Sequence, residues 1–257
     1  MKDRIYRKQD LQHLKLIAHR GFTPEGPQNS LKAFEAAGKH GFWAIETDVR
    51  RTRDGVLVCC HDKTIDGLYD GSGRVCDADW KELSGRHFTK DRGERMPLFE
   101  EYLEICKSYG ALPFIETKTM DVEEVVKTAL RHFEEEELVI SSILLEHLLK
   151  TREASGGVFI HHIFSTPQTL EILRPLGRCG VSYNYNDLSK VPRRLIEETH
   201  EKGVLVCLRA GDSPETVQEM LGMRLDYIPT NRMTKEAAAQ GVKKEVEHVT
   251  SPKRSCS

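Results

Sequence analysis

The chain has 257 residues, 39% of them apolar and 7% aromatic, which is enough to bury one large core, and α/β barrels of this length commonly fold as a single domain. A formal charge of -2 and a pI near 6.6 provide no bulk attraction for nucleic acid or an anionic membrane surface, so an anionic ligand has to be gripped locally. The opening MKDRIYRKQDLQHLK lacks the apolar centre of a signal peptide, and no run nears the ~18 apolar residues of a membrane span, so the expectation is a cytoplasmic protein without stable membrane insertion.

Strand and helix signals then alternate along the chain. Lys15 to Ala18 reads as a first strand, and Asn29 or Ser30 caps a helix with its apolar face at Leu31, Phe34 and Ala37. Gly38 and Gly41 end that helix before a second strand, Trp43 to Val49. The turn Arg53-Asp54-Gly55 folds the chain back, so that Val56 to Cys60 pairs with the second strand or extends it. From Asp62 to Met96 the periodicity fails, and glycines at 67, 71, 73, 85 and 93 punctuate a polar segment with one short helical pattern, Asp77 to Leu83. This is an insertion, expected to cover part of the barrel mouth and to influence what the site accepts.

Alternation resumes with a helix at Leu98 to Tyr109 and strands at Leu112 to Glu116, Leu138 to Ser141, Gly157 to Ile163, Gly180 to Tyr185, Val204 to Leu208 and Tyr227 to Ile228. Helices fall between them at Val122 to Phe133, Glu146 to Arg152, Pro167 to Leu176, Pro192 to Lys202 and Pro214 to Leu221, with Lys235 to Ala239 closing. Eight strands with their crossovers argue for a closed (β/α)₈ TIM barrel over residues 1–241, with the insertion 62–96 after strand 2 and a charged, frayed tail over 242–257.

In this architecture the carboxyl ends of the strands carry the chemistry. There the chain places His19 and Arg20 after the first strand, Glu46 and Asp48 on the second, His61 after the returning segment, and Glu116 and Lys118 on the next strand. Residues two apart on a strand share a face, so Glu46 and Asp48 are able to share one hard cation with Glu116. Three converging carboxylates repel one another unless a cation or a proton neutralises them, and all-oxygen ligation suits Mg²⁺ or Ca²⁺ better than zinc.

Each residue alone has a bland reading, as a solvated loop carboxylate or a surface imidazole; their joint placement at one barrel end is what carries weight. His161 and His162 face the site or serve structure about equally well. His13, His40, His87, His132, His147, His200 and His248 are assigned to surface or helix positions, and Arg50, Arg51 and Arg53 to a solvated turn, with Arg50 near enough to the mouth to test. Seven scattered cysteines, including the adjacent Cys59 and Cys60, lack metal-like spacing and read as reduced packing thiols.

The run HRG, PQNSLKAF, IETDV, RDG, HD, MPLFEE and IETK, spread in this order from Leu16 to Lys118, resembles the glycerophosphodiester phosphodiesterase family. The resemblance implies that His19 and His61 act as an acid and base pair, that Glu46, Asp48 and Glu116 bind a divalent metal cation, Mg²⁺ or Ca²⁺, and that Arg20 and Lys118 hold the phosphate. It implies metal-dependent hydrolysis of a small-molecule glycerophosphodiester substrate to glycerol 3-phosphate and an alcohol. The chain departs from the family's pattern at Gln28, where the family has glutamate, in VLVCLRAGD (Val204 to Asp212), which lacks the family's tryptophan, and at Thr230-Asn231 in place of a Thr-Asp pair. A lysophospholipase D-like activity needs an apolar groove that nothing in the sequence demands. A non-catalytic phosphate or sugar-phosphate binding barrel is disfavoured by the presence of both His19 and His61.

Overall fold

Period-two patterning decides which face of each strand meets water, helix or barrel centre. In the computed structural model, which describes residues 4–6, 13–185 and 187–239, eight parallel strands form the barrel: β1 (Leu16–Ala18), β2 (Ala44–Arg51), β4 (Leu112–Thr117), β5 (Val139–Ser142), β6 (Phe159–His162), β7 (Cys179–Ser182), β8 (Leu205–Cys207) and β9 (Ile228–Thr230). The segment before His61 is β3 (Leu57–Cys59), which pairs antiparallel with β2, Arg50 opposite Val58. The tail expected over 242–257 and the cysteine at 256 lie outside the described residues.

Hydrogen-bonded neighbours run β8-β7-β6-β5-β4-β2-β1-β9. The seam between β8 and β9 is drawn together by Asp226 N donating to Val206 O at 2.9 Å and Gly211 N donating to Pro229 O at 2.8 Å. Around the barrel lie α1 (Leu31–Lys39), α3 (Phe99–Tyr109), α4 (Val122–Leu130), α5 (Leu145–Ala154), α6 (Pro167–Leu173), α7 (Arg193–Glu201) and α8 (Pro214–Gly222), with residues 235–239 also helical. The first helix takes Ser30 as its cap, the hydroxyl accepting from Ala33 N at 3.1 Å.

Alternation sorts the strand side chains into two buried sets. Ile45, Val49, Ile115, Ile140, Ile160 and Val181 pack outward with the helices, whereas Ile17, Ala44, Leu112, Phe114, Val139, Phe159, Cys207 and Tyr227 fill the barrel interior. Tyr227 is the largest plug: its hydroxyl lies 2.7 Å from His161 Nδ1, and a Cβ added at Gly180 would sit 2.3 Å from that hydroxyl, so glycine is what β7 tolerates there. On β2 and β4 the inward register of Ala44, Leu112 and Phe114 continues to Glu46, Asp48 and Glu116. The carboxylates therefore cap the interior column at its carboxyl end.

The insertion carries a short helix within the stretch where its sequence shows one. It builds its own small core, in which Ile65, Tyr69, Val75, Leu83, Phe88 and Met96 bury against Val58 and Cys60, around a 3₁₀ turn at Val75–Asp77 and the short helix α2 (Trp80–Leu83). Bridges Thr64–Arg74, Tyr69–Phe88 and His87–Arg95 tie it together. Enough apolar surface recurs among the glycines to fold the segment onto β3. Among the described residues no helix is long and apolar enough to cross a membrane.

Candidate active site

The turn after β1 is built by backbone that few residues adopt. Arg20 and Gly21 sit in succession at φ of 60° and 81°, and a Cβ at Gly21 would lie 2.8 Å from Ala33. A non-glycine residue held in this region costs of order 1–3 kcal/mol, a strain characteristic of functional sites. Here the reversal aims Arg20 N at Glu46, donating to Oε2 at 2.7 Å, while the guanidinium turns back over the mouth.

Asn29, absent from the sequence-based site, locks this turn to β2. Buried at φ 55°, it donates from Nδ2 to Asp48 Oδ2 at 3.0 Å, accepts from Thr47 Oγ1 at 2.8 Å, and donates its own N–H to Arg20 O at 2.9 Å. Its signal in the sequence was the position taken for a helix cap. Gln28, the neutral replacement for the family's glutamate, accepts from Arg20 Nη1 at 2.7 Å. It orients the guanidinium without cancelling its charge.

Glu46, Asp48 and Glu116 are brought together as expected, each buried and each offering an oxygen, with these atoms all within 4.8 Å of one another. Burial, then the charges of Asp48 and Glu116, pushes the Glu46 carboxyl well above its ordinary range, and burial with Asp48 raises Glu116 as well. For Asp48 burial works the same way, but Lys118 and Arg20 overcome it and hold the carboxyl low. The cations responsible are Lys118 Nζ, 3.3 Å from Asp48 Oδ1 and 2.5 Å from Glu116 Oε1, and Arg20 Nε, 3.4 Å from Asp48 Oδ2. Asp48 Oδ1 is buried without a hydrogen-bond donor. A hard divalent cation fits this set, because it offsets the burial and mutual repulsion that raise Glu46 and Glu116, and Asp48 Oδ1 has a lone pair that no hydrogen bond occupies.

The two histidines have different surroundings. His19 is largely buried, which lowers its pKa below the ordinary imidazole value. Its Nδ1 lies 2.8 Å from Asn231 Oδ1. Asn231 is itself fixed by Asp212, donating from Nδ2 to Oδ2 at 2.6 Å and from its backbone N–H to Oδ1 at 2.7 Å. A carboxylate only accepts, so the amide nitrogen faces Asp212, its oxygen faces His19, and His19 Nδ1 carries the proton. His61 is partly exposed, with Nδ1 2.8 Å from Asp62 Oδ1, and its carbonyl accepts from Arg50 Nε at 3.1 Å and Nη2 at 2.6 Å. Asp212 and Asn231 were not among the sequence-based candidates, and Arg50 belongs to the scaffold of the site rather than to a solvated turn.

His19, Arg20, Glu46, His61, Glu116 and Lys118 line one cavity of about 480 Å³. Asp48 lies at its base, fully buried behind Arg20 and Lys118. His161 also lines it, but burial drives its pKa down to about 3 and its Nδ1 is engaged by Tyr227, so it is a neutral interior imidazole. His162 turns away, Nδ1 lying 2.8 Å from Ser165 Oγ. His147 is on a helix as expected yet buried, 3.0 Å from Ser142 Oγ. No residue of the insertion lines the cavity, so its expected influence on the accepted alcohol has no direct contact to act through. Ile143, Ile163, Phe164 and Leu208 form part of the cavity wall.

Comparison with known proteins follows the same lines. Residues 19–235 match the model of the glycerophosphoryl diester phosphodiesterase family. The chain is similar to "Probable glycerophosphodiester phosphodiesterase 2" of Mycobacterium tuberculosis, 29% identical over 239 residues, 84% of this chain and 86% of that one. Against glycerophosphodiester phosphodiesterase 1 of Mus musculus it is 35% identical over 109 residues, 40% of this chain, and spans a third (33%) of that protein's length. In fold it is similar to a phosphodiesterase of Oleispira antarctica solved with the product sn-glycerol-3-phosphate, at a TM-score of 0.79 and 20% identity over 89% of this chain and 96% of the other. A glycerophosphodiester phosphodiesterase of Agrobacterium tumefaciens gives a TM-score of 0.76 at 22% identity, covering 88% and 99%.

Proposed function

The chain belongs to the glycerophosphoryl diester phosphodiesterase family, and from that premise we propose that it hydrolyses glycerophosphodiesters to glycerol 3-phosphate and an alcohol with the aid of a divalent cation. The observation that carries this reading is the convergence of three buried carboxylates, two cationic side chains and two imidazoles with fixed Nδ1 protons on one barrel end.

Glu46, Asp48 and Glu116 would hold Mg²⁺ or Ca²⁺, which when bound supplies positive charge against the phosphoryl oxygens. Arg20 and Lys118 grip the non-bridging oxygens, for which their present carboxylate contacts are the exchangeable partners. His19, whose burial favours the neutral imidazole, takes the proton of the attacking water on Nε2, since Nδ1 is committed to Asn231. His61 then gives its Nε2 proton to the departing alcohol, steadied by Asp62 on Nδ1 and by Arg50 behind its carbonyl. This reading carries with it the single barrel domain and the cytoplasmic location expected from the sequence.

The test is direct. Incubated with glycerophosphocholine and Mg²⁺ or Ca²⁺, the protein should release glycerol 3-phosphate, and EDTA should stop the release. A chain that turns over no glycerophosphodiester with either cation is not this enzyme.

A further inference from the structure

Two adjacent serines end β5, and the fold treats them oppositely. Ser142 turns toward α5, where its Oγ lies 3.0 Å from His147 Nδ1 and accepts from Leu144 N at 3.1 Å. Ser141 follows the inward register of Val139 and lines the cavity. It is fully buried, and its Oγ has no hydrogen-bond partner in the chain. A buried hydroxyl left in that state is costly, and in a native structure it calls for a physical reason.

The strands on either side cannot supply the missing bond. Ser141 is paired in register with Glu116 of β4 and His161 of β6. Glu116 Oε1 is occupied by Lys118 Nζ at 2.5 Å, while His161 Nδ1 is engaged by the Tyr227 hydroxyl at 2.7 Å and its Nε2 lies 3.9 Å from Cys207 Sγ. The Ser141 hydroxyl is therefore left to the cavity, one strand spacing of ~4.8 Å from a carboxylate of the acidic trio. A group bound there lies next to the phosphate.

The chemistry of that group follows from the wall. A serine hydroxyl gives one hydrogen bond and accepts others, so its best complement is a neutral group that does both. Ser182 and Asn184 continue the polar strip at the end of β7, and beyond Glu116 no carboxylate lines this side to seat an ammonium. Resting on the phosphodiesterase reading, we propose that Ser141 is a specificity-determining residue whose Oγ bonds a substrate hydroxyl beside the phosphate. The site then selects diesters that carry a hydroxyl at that place, because an analogue without one leaves Ser141 covered and unpaired. The hydroxyl belongs to the secondary carbon of the glycerol or to a polyol in the alcohol half, two sources with the same chemistry at Oγ.

The experiment uses the whole chain with Mg²⁺ and two substrate pairs, followed by phosphorus-31 NMR. Glycerophosphocholine against 3-hydroxypropyl phosphocholine removes the glycerol's secondary hydroxyl, and glycerophosphoglycerol against glycerophosphocholine adds hydroxyls to the alcohol half. In one pair kcat/KM should favour the hydroxyl-bearing member roughly 10–10²-fold, and the pair that responds identifies the source. Ser141→Ala should bring that ratio toward one. Ser141→Cys, close in shape with a weaker donor, should give an intermediate ratio and carries the test if the alanine variant does not fold. Ratios near one in both pairs, or a ratio that Ser141→Ala and Ser141→Cys leave in place while all rates fall together, would overturn the proposal and leave the phosphodiesterase reading standing. No turnover of any of the compounds would overturn both.

Discussion

His19 Nδ1 and Asn231 Oδ1 lie 2.8 Å apart, joined by a hydrogen bond whose direction is fixed by neither of them. Asp212, 2.6 Å beyond, fixes it by accepting from Asn231 Nδ2. Asp212→Asn removes that fixity: the new amide is able to donate as well as accept, Asn231 is free to flip, and His19 loses its enforced Nδ1–H tautomer. Turnover should fall roughly 10–10²-fold, the usual effect of losing such an orienting partner, with KM little changed. In the unaltered enzyme the acidic limb of the pH profile should lie below pH 6.5, because burial lowers the His19 pKa. In Asp212→Asn, kcat should stay low on the whole plateau.

Glu46→Gln tests the carboxylate cluster. The substitution removes the acid whose ionisation burial and its neighbours oppose most strongly, so the metal-free protein should be no less stable than the original. The unaltered protein should melt later when Mg²⁺ or Ca²⁺ is added, by about 2.7 kcal/mol of stabilisation at a hundredfold excess over Kd, and Glu46→Gln should gain much less. Equal thermal shifts in the two proteins would remove Glu46 from the cation site.

Arg50→Met keeps the side-chain stem and deletes both donors to the His61 carbonyl. Released from that clamp, His61 should sit less accurately, and kcat should fall roughly 10-fold or more with substrate affinity retained, since misplacement by about 1 Å is worth up to 10². Steady-state kinetics separates this from general destabilisation. A lowered melting temperature with unchanged kcat would make Arg50 structural.

His161 predicts the acid stability of the barrel. Its folded-state pKa is pushed down to about 3 by burial, so the unfolded chain binds its proton first as pH falls. Stability contributed by the neutral ring is present above the unfolded value near 6.5 and is lost as pH drops toward 3. Replacing it with Gln, which keeps a polar partner for Tyr227, should flatten the fall in melting temperature across that window. An unchanged slope would assign the acid sensitivity to other groups.

The strand order and the acidic trio were legible because both follow from local rules. Period-two alternation put Glu46 and Asp48 on one inward face, and their pairing with β4 carried Glu116 level with them, Asp48 opposite Glu116. The partners Asn29, Asp212 and Asn231 were not legible for the same reason. Asp212 reaches the site across 19 residues of sequence, through a bond to Asn231 after β9, and no periodicity records such a contact. The insertion's short helix was legible but its small core was not, because the residues that bury it, Tyr69, Phe88 and Met96, are spaced without period and close only in space. The apolar wall was hidden likewise, its members standing one or two to a strand end on β5 to β8.

In the proposed function two imidazoles move protons on a phosphodiester held by Arg20 and Lys118. Phosphorus-31 NMR of glycerophosphocholine with Mg²⁺ follows both the diester and the monoester it becomes, and isothermal titration follows binding in the same samples. For the unaltered chain the diester resonance should give way to that of glycerol 3-phosphate. In His19→Ala and His61→Ala the conversion should slow roughly 10²–10⁴-fold while binding persists, and the double variant should lose far less than the product of the two. No conversion by the unaltered chain, with binding equal in all four proteins, would contradict the account and make the barrel a phosphate receptor.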